Sequence, residues 1–506
     1  MKQYTKAMKA RPFDIEAGKM IAILNSNDAK ELGVLPLDRI QISCPRTRKK
    51  ITCVVDTTET MLKENMAGMF KDVQKKLGVR RGEKVMVQPV APPESVSFIK
   101  KKLDGHALSE KEIRAIVHDL GQNKLSEIEA AGFVSAVYFH DYNLEETVAM
   151  TKALSQDGLQ LKFDHDKVLD KHCIGGTNGR ATMIIVPIIA AAGYHIPKTS
   201  SRSITSAAGT ADSMEVLANV SLPIDKIKKI TNKVGGVIVW GGALELAPVD
   251  DKIIKIEHPF ALDPTGQIIA SVMAKKASVG AKYVVIDLPV GPDVKVHTRE
   301  RAEEMAKKFI AVGKKLGMRI EAVMTNGTEP SGRAFGPALE AKHVMEILEG
   351  KRFDALAQKS CELAGVLLEL VGKVKKGKGT DMAKEILVSG EALKKMQEII
   401  KAQGAYALTS FDVKYAPFKK IVKAKTNGEI SKINVKKCAQ LARMAGAPAD
   451  KKAGVLLFVE VGDKVKKGQP VLEIHAENKR KLGLAVEYAK KDRVIQMQKI
   501  ILEKFS

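Results

Sequence analysis

Aromatic side chains make up only 5% of this 506-residue chain, and no stripe of them alternates with the basic residues. That scarcity argues against single-stranded nucleic-acid binding, which stacks bases on aromatic platforms. Cysteine is sparse as well: Cys44, Cys53, Cys173, Cys361 and Cys438 are scattered, odd in number and without Cys-x-x-Cys spacing. Neither a disulfide framework nor a zinc site is indicated, and no metal is expected. Apolar runs such as residues 181–192 are too short to span a bilayer, and Lys2 and Lys6 are followed by no apolar segment of signal-peptide type. A cytoplasmic protein with no membrane partner is expected. Acidic residues are in deficit, 59 against 83 Lys and Arg, for a formal charge of +24. Most lysines fall in helical patterns mixed with Glu and Asp, as in residues 363–403, which reads as a solvated face that also attracts small phosphorylated substrates.

The most informative stretch runs from Asp170 to Glu215. It opens with Asp170-Lys171-His172-Cys173-Ile174-Gly175-Gly176-Thr177-Asn178-Gly179-Arg180 and closes with Thr199-Ser200-Ser201-Arg202-Ser203-Ile204-Thr205-Ser206-Ala207-Ala208-Gly209-Thr210-Ala211-Asp212. Two small-residue loops thus flank one apolar segment, and each leads into a helical pattern. Glycines let backbone N–H groups turn toward an oxyanion, a helix start adds positive potential, and Ser, Thr, Lys and Arg202 supply further donors. The first loop has neither P-loop nor Rossmann spacing. Alone it reads first as a capping turn; the nearby hydroxyl-rich loop makes an anion cradle the better reading.

Along the rest of the chain, composition and periodicity predict four domains in a mixed α/β, α+β multidomain fold. Residues 1–87 alternate short strand-like runs with turns and contain a repeated phrase, Leu32-Gly33-Val34-Leu35-Pro36-Leu37-Asp38-Arg39 and Leu77-Gly78-Val79-Arg80-Arg81-Gly82-Glu83-Lys84. The repeat predicts a small pseudo-twofold β barrel, read as an assembly module. Pro89, Pro92 and Pro93 mark a linker. Residues 95–160 read as a helical domain with capping boxes at Ser109/Glu112 and Ser126/Glu129, and with a returning segment near 221–255. Residues 161–416 read as an α/β phosphate-binding and catalytic domain, with helices over 298–316, 338–348, 352–371 and 380–402. A cleft between it and the helical domain is expected to take the substrate. Residues 417–506 read as a C-terminal α+β domain.

Several separated words, in order from about residue 95 to the end, resemble the thymidine and pyrimidine-nucleoside phosphorylase family. They are Lys102-Leu103-Asp104-Gly105-His106-Ala107-Leu108-Ser109, Phe139-His140-Asp141, Asp170-Lys171-His172, Gly209-Thr210-Ala211-Asp212, Leu246-Ala247-Pro248-Val249-Asp250, Ala270-Ser271 with Lys275-Lys276, Gly332-Arg333-Ala334, Gly336-Pro337-Ala338-Leu339-Glu340 and Gly462-Asp463-Lys464-Val465-Lys466-Lys467-Gly468-Gln469-Pro470. The resemblance implies phosphate or ribose-phosphate contacts from Lys171, Gly175, Ser200, Ser201, Arg202, Ser203, Ile204, Thr205, Ser206 and Thr210. It also implies an active-site position for His172, and base contacts from Ser271 and Lys275. The last word resembles half of a biotinyl or lipoyl barrel, but no exposed Met-Lys-Met follows, so a hammerhead-like scaffold is expected.

Departures from the pyrimidine pattern narrow the expectation. No arginine stands in Ile254-Lys255-Ile256-Glu257-His258-Pro259, where those enzymes grip the base; the usual serine after Lys-His is Cys173; and Ser203 to Ser206 replace a glycine-rich turn. With the extra N-terminal barrel, the chain resembles the archaeal AMP phosphorylases. That likeness implies phosphorolysis of AMP, with CMP and UMP, to free base and ribose 1,5-bisphosphate. Inorganic phosphate is then a co-substrate and no cofactor is expected. It assigns Asp263, in Asp263-Pro264-Thr265-Gly266, as proton donor to the base, and Lys295 as a substrate-anion contact. From the residues alone, Asp263 is a turn residue and Lys295 a solvated lysine. A pyrimidine-nucleoside phosphorylase is the near alternative, and a basic nucleic-acid-binding protein on an inactive phosphorylase scaffold the alternative from another class. A homodimer or larger homo-oligomer, through helices around residues 100–154 and the N-terminal domain, is the expected assembly.

Overall fold

A computed structural model of the chain describes residues 4–16, 18–163, 165–175, 178–203, 206–244 and 246–498. The chain divides into two compact units, one of Met1–Asp157 with Pro248–Ile268 and one of Gly158–Ala247 with Ile269–Ser506.

In the first unit six strands close a barrel: β1 (Lys6–Pro12), β2 (Ile21–Asn25), β3 (Arg39–Cys44), β4 (Lys49–Thr58), β5 (Met66–Met69) and β6 (Lys84–Pro89), in the order β1-β5-β2-β4-β3-β6. The repeated phrase has a structural counterpart. Helices α1 (Ser26–Leu32) and α2 (Lys71–Leu77) each end at a left-handed glycine, Gly33 and Gly78, both at φ 67°, before turning into β3 and β6. Left-handed backbone costs glycine little, so both copies stop their helix at the same place. Alternation along the strands buries Leu24, Ile40, Ile42, Val55, Val85 and Val87 inside the barrel.

Four helices follow: α3 (Ser95–Leu103), α4 (Glu110–Gly121), α5 (Glu127–His140) and α6 (Leu144–Asp157). Both capping boxes form, with Ser109 and Ser126 accepting from the N–H groups of Glu112 and Glu129. Glu129 also pairs with Arg39 of β3, which ties helix to barrel. Inside the bundle Lys102 and Glu146 form a buried ion pair at 2.8 Å.

The second unit is built on a parallel sheet. Its strands are β7 (Leu169–Cys173), β8 (Ile196–Ser200) and β9 (Gly236–Trp240), separated by α7 (Ala181–Ala191), α8 (Thr210–Met214) and α9 (Ile224–Val234). The chain then returns to the first unit with α10 (Pro248–Glu257) and the first turn of α11 (Thr265–Ser278), whose remainder belongs to the second. The return therefore comes later than the expected 221–255, because α9 and β9, a strand parallel to β8 that carries the buried Val237, Ile238 and Val239, belong to the second unit. β10 (Tyr283–Val290), α12 (Arg299–Lys315) and β11 (Arg319–Asn326) complete the layer. Parallel ladders join β11, β10 and β7 in that order, another joins β8 to β9, and a Val168–His195 bridge links the two sets. Helix α7 is apolar all round and buried, as a helix inside the layer must be.

Beyond it, β12 (Ala334–Phe335) leads to α13 (Pro337–Leu348), α14 (Ala355–Leu370), α15 (Gly379–Val388) and α16 (Glu391–Gln403). The expected single helix over 380–402 is two, broken where Gly390 turns left-handed at φ 86°. The C-terminal strands lie in two sheets. A four-stranded sheet runs β12, β15 (Gly454–Leu457), β17 (Pro470–Ala476) and β13 (Phe418–Lys423), and a three-stranded one joins β16 (Lys464–Val465), β14 (Gly428–Ile433) and β18 (Ile495–Gln498). Helices α17 (Val435–Ala445) and α18 (Lys479–Lys491) pack beside them. Residues 334 and 335 thus lend a strand to the C-terminal sheet, and the expected boundary at 416 falls inside one compact unit.

Candidate active site

Because the five strands are parallel, their carboxyl ends share one edge, where ligands of open α/β sheets bind. Loops 174–180, 201–209 and 291–298 leave from the ends of β7, β8 and β10 at that edge. Gly175 is left-handed at φ 54°, and a Cβ there would lie 2.9 Å from the Lys295 stem. The Lys295 N–H also approaches the Gly175 carbonyl at 3.4 Å. Gly175 and Lys295 are therefore brought together, and the aliphatic part of Lys295 is laid along the glycine.

Loop 174–180 is stitched down from behind. Asn178 is buried and donates to the carbonyls of Gly332 and Ala334, the latter at 2.8 Å, while Glu340 accepts from Gly179 N–H at 3.2 Å, from Gly336 N–H at 3.1 Å and from Arg180. Two of the quoted words, around Gly332 and Glu340, are thus framework for the first loop.

Loop 201–209 is held by Asp212. Its carboxylate accepts from Ser203 N–H at 2.7 Å and Gly209 N–H at 2.8 Å, and meets Arg202 at 3.1 Å. Arg202 forks onto Glu215 through two 2.7 Å bonds and lies 4.7 Å from the Trp240 ring centroid. Glu215 is held down at about 2, chiefly by its bonds to Arg202, and Lys451 adds a 2.7 Å contact. Arg202 so closes its own loop. Ser203 and Ser206 bond each other across the loop, Arg443 reaches the Ser206 carbonyl at 3.3 Å, and Ala207 joins the C-terminal hydrophobic core. Ser200 ends β8 with a buried hydroxyl, Ser201 is exposed at the start of the loop, and Thr210 begins α8. Ile204 and Thr205 lie outside the described residues.

Beneath the loops is a buried charge network. Lys171 meets Asp287 of β10 at 3.1 Å; Asp287 also takes a 2.6 Å bond from Thr325 and has Lys359 at 3.6 Å. Burial alone would lower the Lys171 ammonium, but Asp287 outweighs it and raises the value. One strand away, Asp170 is fully buried between Lys276 of α11 at 2.6 Å and Lys198 of β8 at 3.3 Å. Two ammonium groups against one carboxylate cannot both be well compensated in a low dielectric. Lys198 gives way: burial brings it down to about 7, only partly offset by Asp170. His172 is held well below its ordinary value by burial and by Lys276, Lys198, Lys275 and Lys171, so its imidazole is neutral. Burial pushes the Cys173 thiol up to about 11, which keeps it protonated.

In α11, Lys275 donates to Ser271 at 3.2 Å, one helical turn apart. Asp263 lies in the first unit, exposed, in the link between α10 and α11. The sequence reading missed Lys198, Asp212, Glu215, Asp287 and Glu340 as site-building residues. Asp212 and Glu340 stand inside quoted words, whereas Lys198 and Asp287 are signalled only by being charged within strands. Among the described residues no cluster of His, Cys, Asp and Glu suited to a metal occurs, and no helix is long and apolar enough to cross a membrane.

Three family descriptions match the chain: a glycosyl transferase helical bundle domain over residues 96–158, a glycosyl transferase a/b domain over 165–393, and a pyrimidine nucleoside phosphorylase C-terminal domain over 429–496. An AMP phosphorylase of Methanococcoides burtonii is 43% identical over 500 residues, covering 98% of both chains. That of Thermococcus kodakarensis is 42% identical over 499 residues, covering 98% of this chain and 99% of its own. Among solved structures, anthranilate phosphoribosyltransferase from Thermus thermophilus superposes with a TM-score of 0.53 at 19% identity, over 60% of this chain and 98% of that one, a likeness of fold.

Proposed function

The chain belongs to the AMP phosphorylase family of glycosyl transferases, and from that premise we propose how its residues divide the reaction. It is a pentosyltransferase that splits AMP with inorganic phosphate. The C1′–N bond breaks with its electron pair going to adenine, a phosphate oxygen bonds to C1′, and ribose 1,5-bisphosphate remains. The oxocarbenium-like sugar needs no protein nucleophile, because the bound phosphate stabilises the cation and then captures it. Two anions must therefore be held around one ribose. Lys171, Gly175, Ser200, Ser201, Ser203, Ile204, Thr205, Ser206, Thr210 and Lys295 are the proposed donors for them, with Arg202 bracing the loop. Neutral His172 adds a polar contact without a second cation. Ser271 and Lys275 face the base, and Asp263 gives a proton to a purine ring nitrogen as the bond breaks.

The observation that carries this reading is the full-length likeness to AMP phosphorylases in a chain whose glycine and hydroxyl loops leave one sheet edge together. CMP and UMP are proposed as further substrates, since no arginine of the pyrimidine-gripping kind stands at 254–259 to demand one base. The C-terminal sheets serve as a hammerhead-like brace for loop 201–209. Exposed Leu103, Ile128, Tyr138 and Phe139 on α3 and α5 support a homo-oligomer through the helical domain, in a cytoplasmic setting. No cofactor enters the reading. The test is base release from AMP, CMP, UMP and thymidine with phosphate: AMP cleaved and thymidine not is expected, and thymidine cleaved in preference to AMP would overturn it.

A further inference from the structure

We propose that Asp141 is a positioning residue for Asp263, holding the start of α11 and so fixing the short link that carries the proton donor. The inference rests on the reading of Asp263 given above. Asp141 closes α5 at φ 35°, ψ 178°, backbone that residues other than glycine enter only when their surroundings hold them. Its Oδ1 accepts two N–H groups, from Tyr142 and from Gly266 in the first turn of α11, each at 2.8 Å. Its carbonyl accepts from Lys102 at 2.7 Å, and Lys102 is locked in turn to Glu146, which also takes the N–H groups of Leu108 at 2.9 Å and Asn143 at 3.0 Å. Asp141 thus stands on a buried, fully engaged base.

The fit at Gly266 is tight: a Cβ there would lie 2.6 Å from Asp141 Oδ1 and 2.8 Å from Tyr142 Cβ. On the other side of Asp263, the N–H groups of Ala261 and Leu262 bond the carbonyls of His258 and Glu257, both at 3.2 Å, and Ala261 is left-handed at φ 51°. The link from 261 to 266 is therefore pinned at both ends with Asp263 and the buried Pro264 between. Those pins fix the backbone that carries the exposed Asp263. A proton donor must lie within hydrogen-bond reach of the atom it serves, and an ångström of misplacement costs on the order of a hundredfold.

The test compares two substitutions in the full-length protein. Asp141→Asn keeps an oxygen acceptor and tolerates positive φ, whereas Asp141→Gly relaxes the backbone and removes the acceptor. With AMP, Asp141→Gly is expected to lower kcat by roughly 30-fold or more while KM for AMP and for phosphate stays within about threefold; Asp141→Asn is expected to remain within about threefold of the parent throughout. A ribose 5-phosphate carrying a pyridinium base, which leaves neutral and needs no proton, should be cleaved alike by Asp141→Gly and the parent. Unchanged kcat in Asp141→Gly, equal losses in both variants, or a loss shared with KM or with the pyridinium nucleotide would overturn the proposal. Asp263→Asn separates the two levels. If it cleaves AMP normally, the reading of Asp263 itself fails; if it is impaired while Asp141→Gly is not, only the positioning role of Asp141 falls.

Discussion

The anion loops of the second unit and the Asp263 link of the first are built on opposite plans. Loops 174–180 and 201–209 are tied down by carboxylates whose hydrogen bonds are already made: Glu340 beneath the first, Asp212 and Glu215 beneath the second. In the proposed role, donor groups so fixed would need no reorganisation on binding phosphate, which is how electrostatic stabilisation is strongest. The Asp263 link is pinned by its backbone, and its carboxyl stays exposed. The proposed anion binding would thus be preorganised by charged side chains. In the proposed roles, proton delivery would be placed by backbone hydrogen bonds at the two ends of a turn.

Mutations can break this comparison in order of severity. Asp263→Asn should cut kcat with AMP by about two to four orders of magnitude while leaving AMP binding near that of the parent, measured by steady-state kinetics and titration; weakened binding instead would make Asp263 a positioning group. Gly209→Ala should act on the other region. Its Cβ would sit 2.5 Å from the Ser201 carbonyl oxygen and 2.7 Å from Ser203 N, so the loop must open. A fall of about a hundredfold in kcat/KM for phosphate is expected. Glu215→Gln, which loosens the Arg202 fork without adding bulk, should raise KM for phosphate by roughly tenfold, the worth of a weakened charge-assisted bond.

The smallest effect concerns stability. The folded value of Lys198, about 7, lies below the ordinary lysine value of 10.5. Between those values the unfolded chain binds more protons, so the contribution of this residue to stability rises with pH through that window and is lost as pH falls through 7. Lys198→Met leaves Asp170 paired with Lys276 alone. It should melt higher than the parent near pH 7, with the gap closing as pH approaches 10, in thermal melts across pH. A gap independent of pH would show that Lys198 is charged throughout.

Much of this was legible in the residues. The repeated Leu-Gly-Val phrase marks two helices stopped by left-handed glycines, and Ser109 and Ser126 mark helix starts, because local chemistry alone determines those features. The glycine and hydroxyl loops were equally readable as polar runs around an apolar helix. Hidden were the long-range partners. That Ala207 packs into the C-terminal core and that Gly332 and Glu340 brace loop 174–180 depend on chain far away in sequence. Only Gly390 betrays the break between α15 and α16, since the flanking helical periodicity reads as continuous.

In the proposed reaction the loops hold two anions around one ribose, one on the attacking reagent and one at C5′. The most direct measurement is kcat/KM for AMP against adenosine, each with phosphate, with the sugar product identified. Ribose 1,5-bisphosphate from AMP and a loss of roughly four orders of magnitude with adenosine are expected, as for a site whose donors are left unpaired. Adenosine cleaved at a comparable kcat/KM would contradict that expectation.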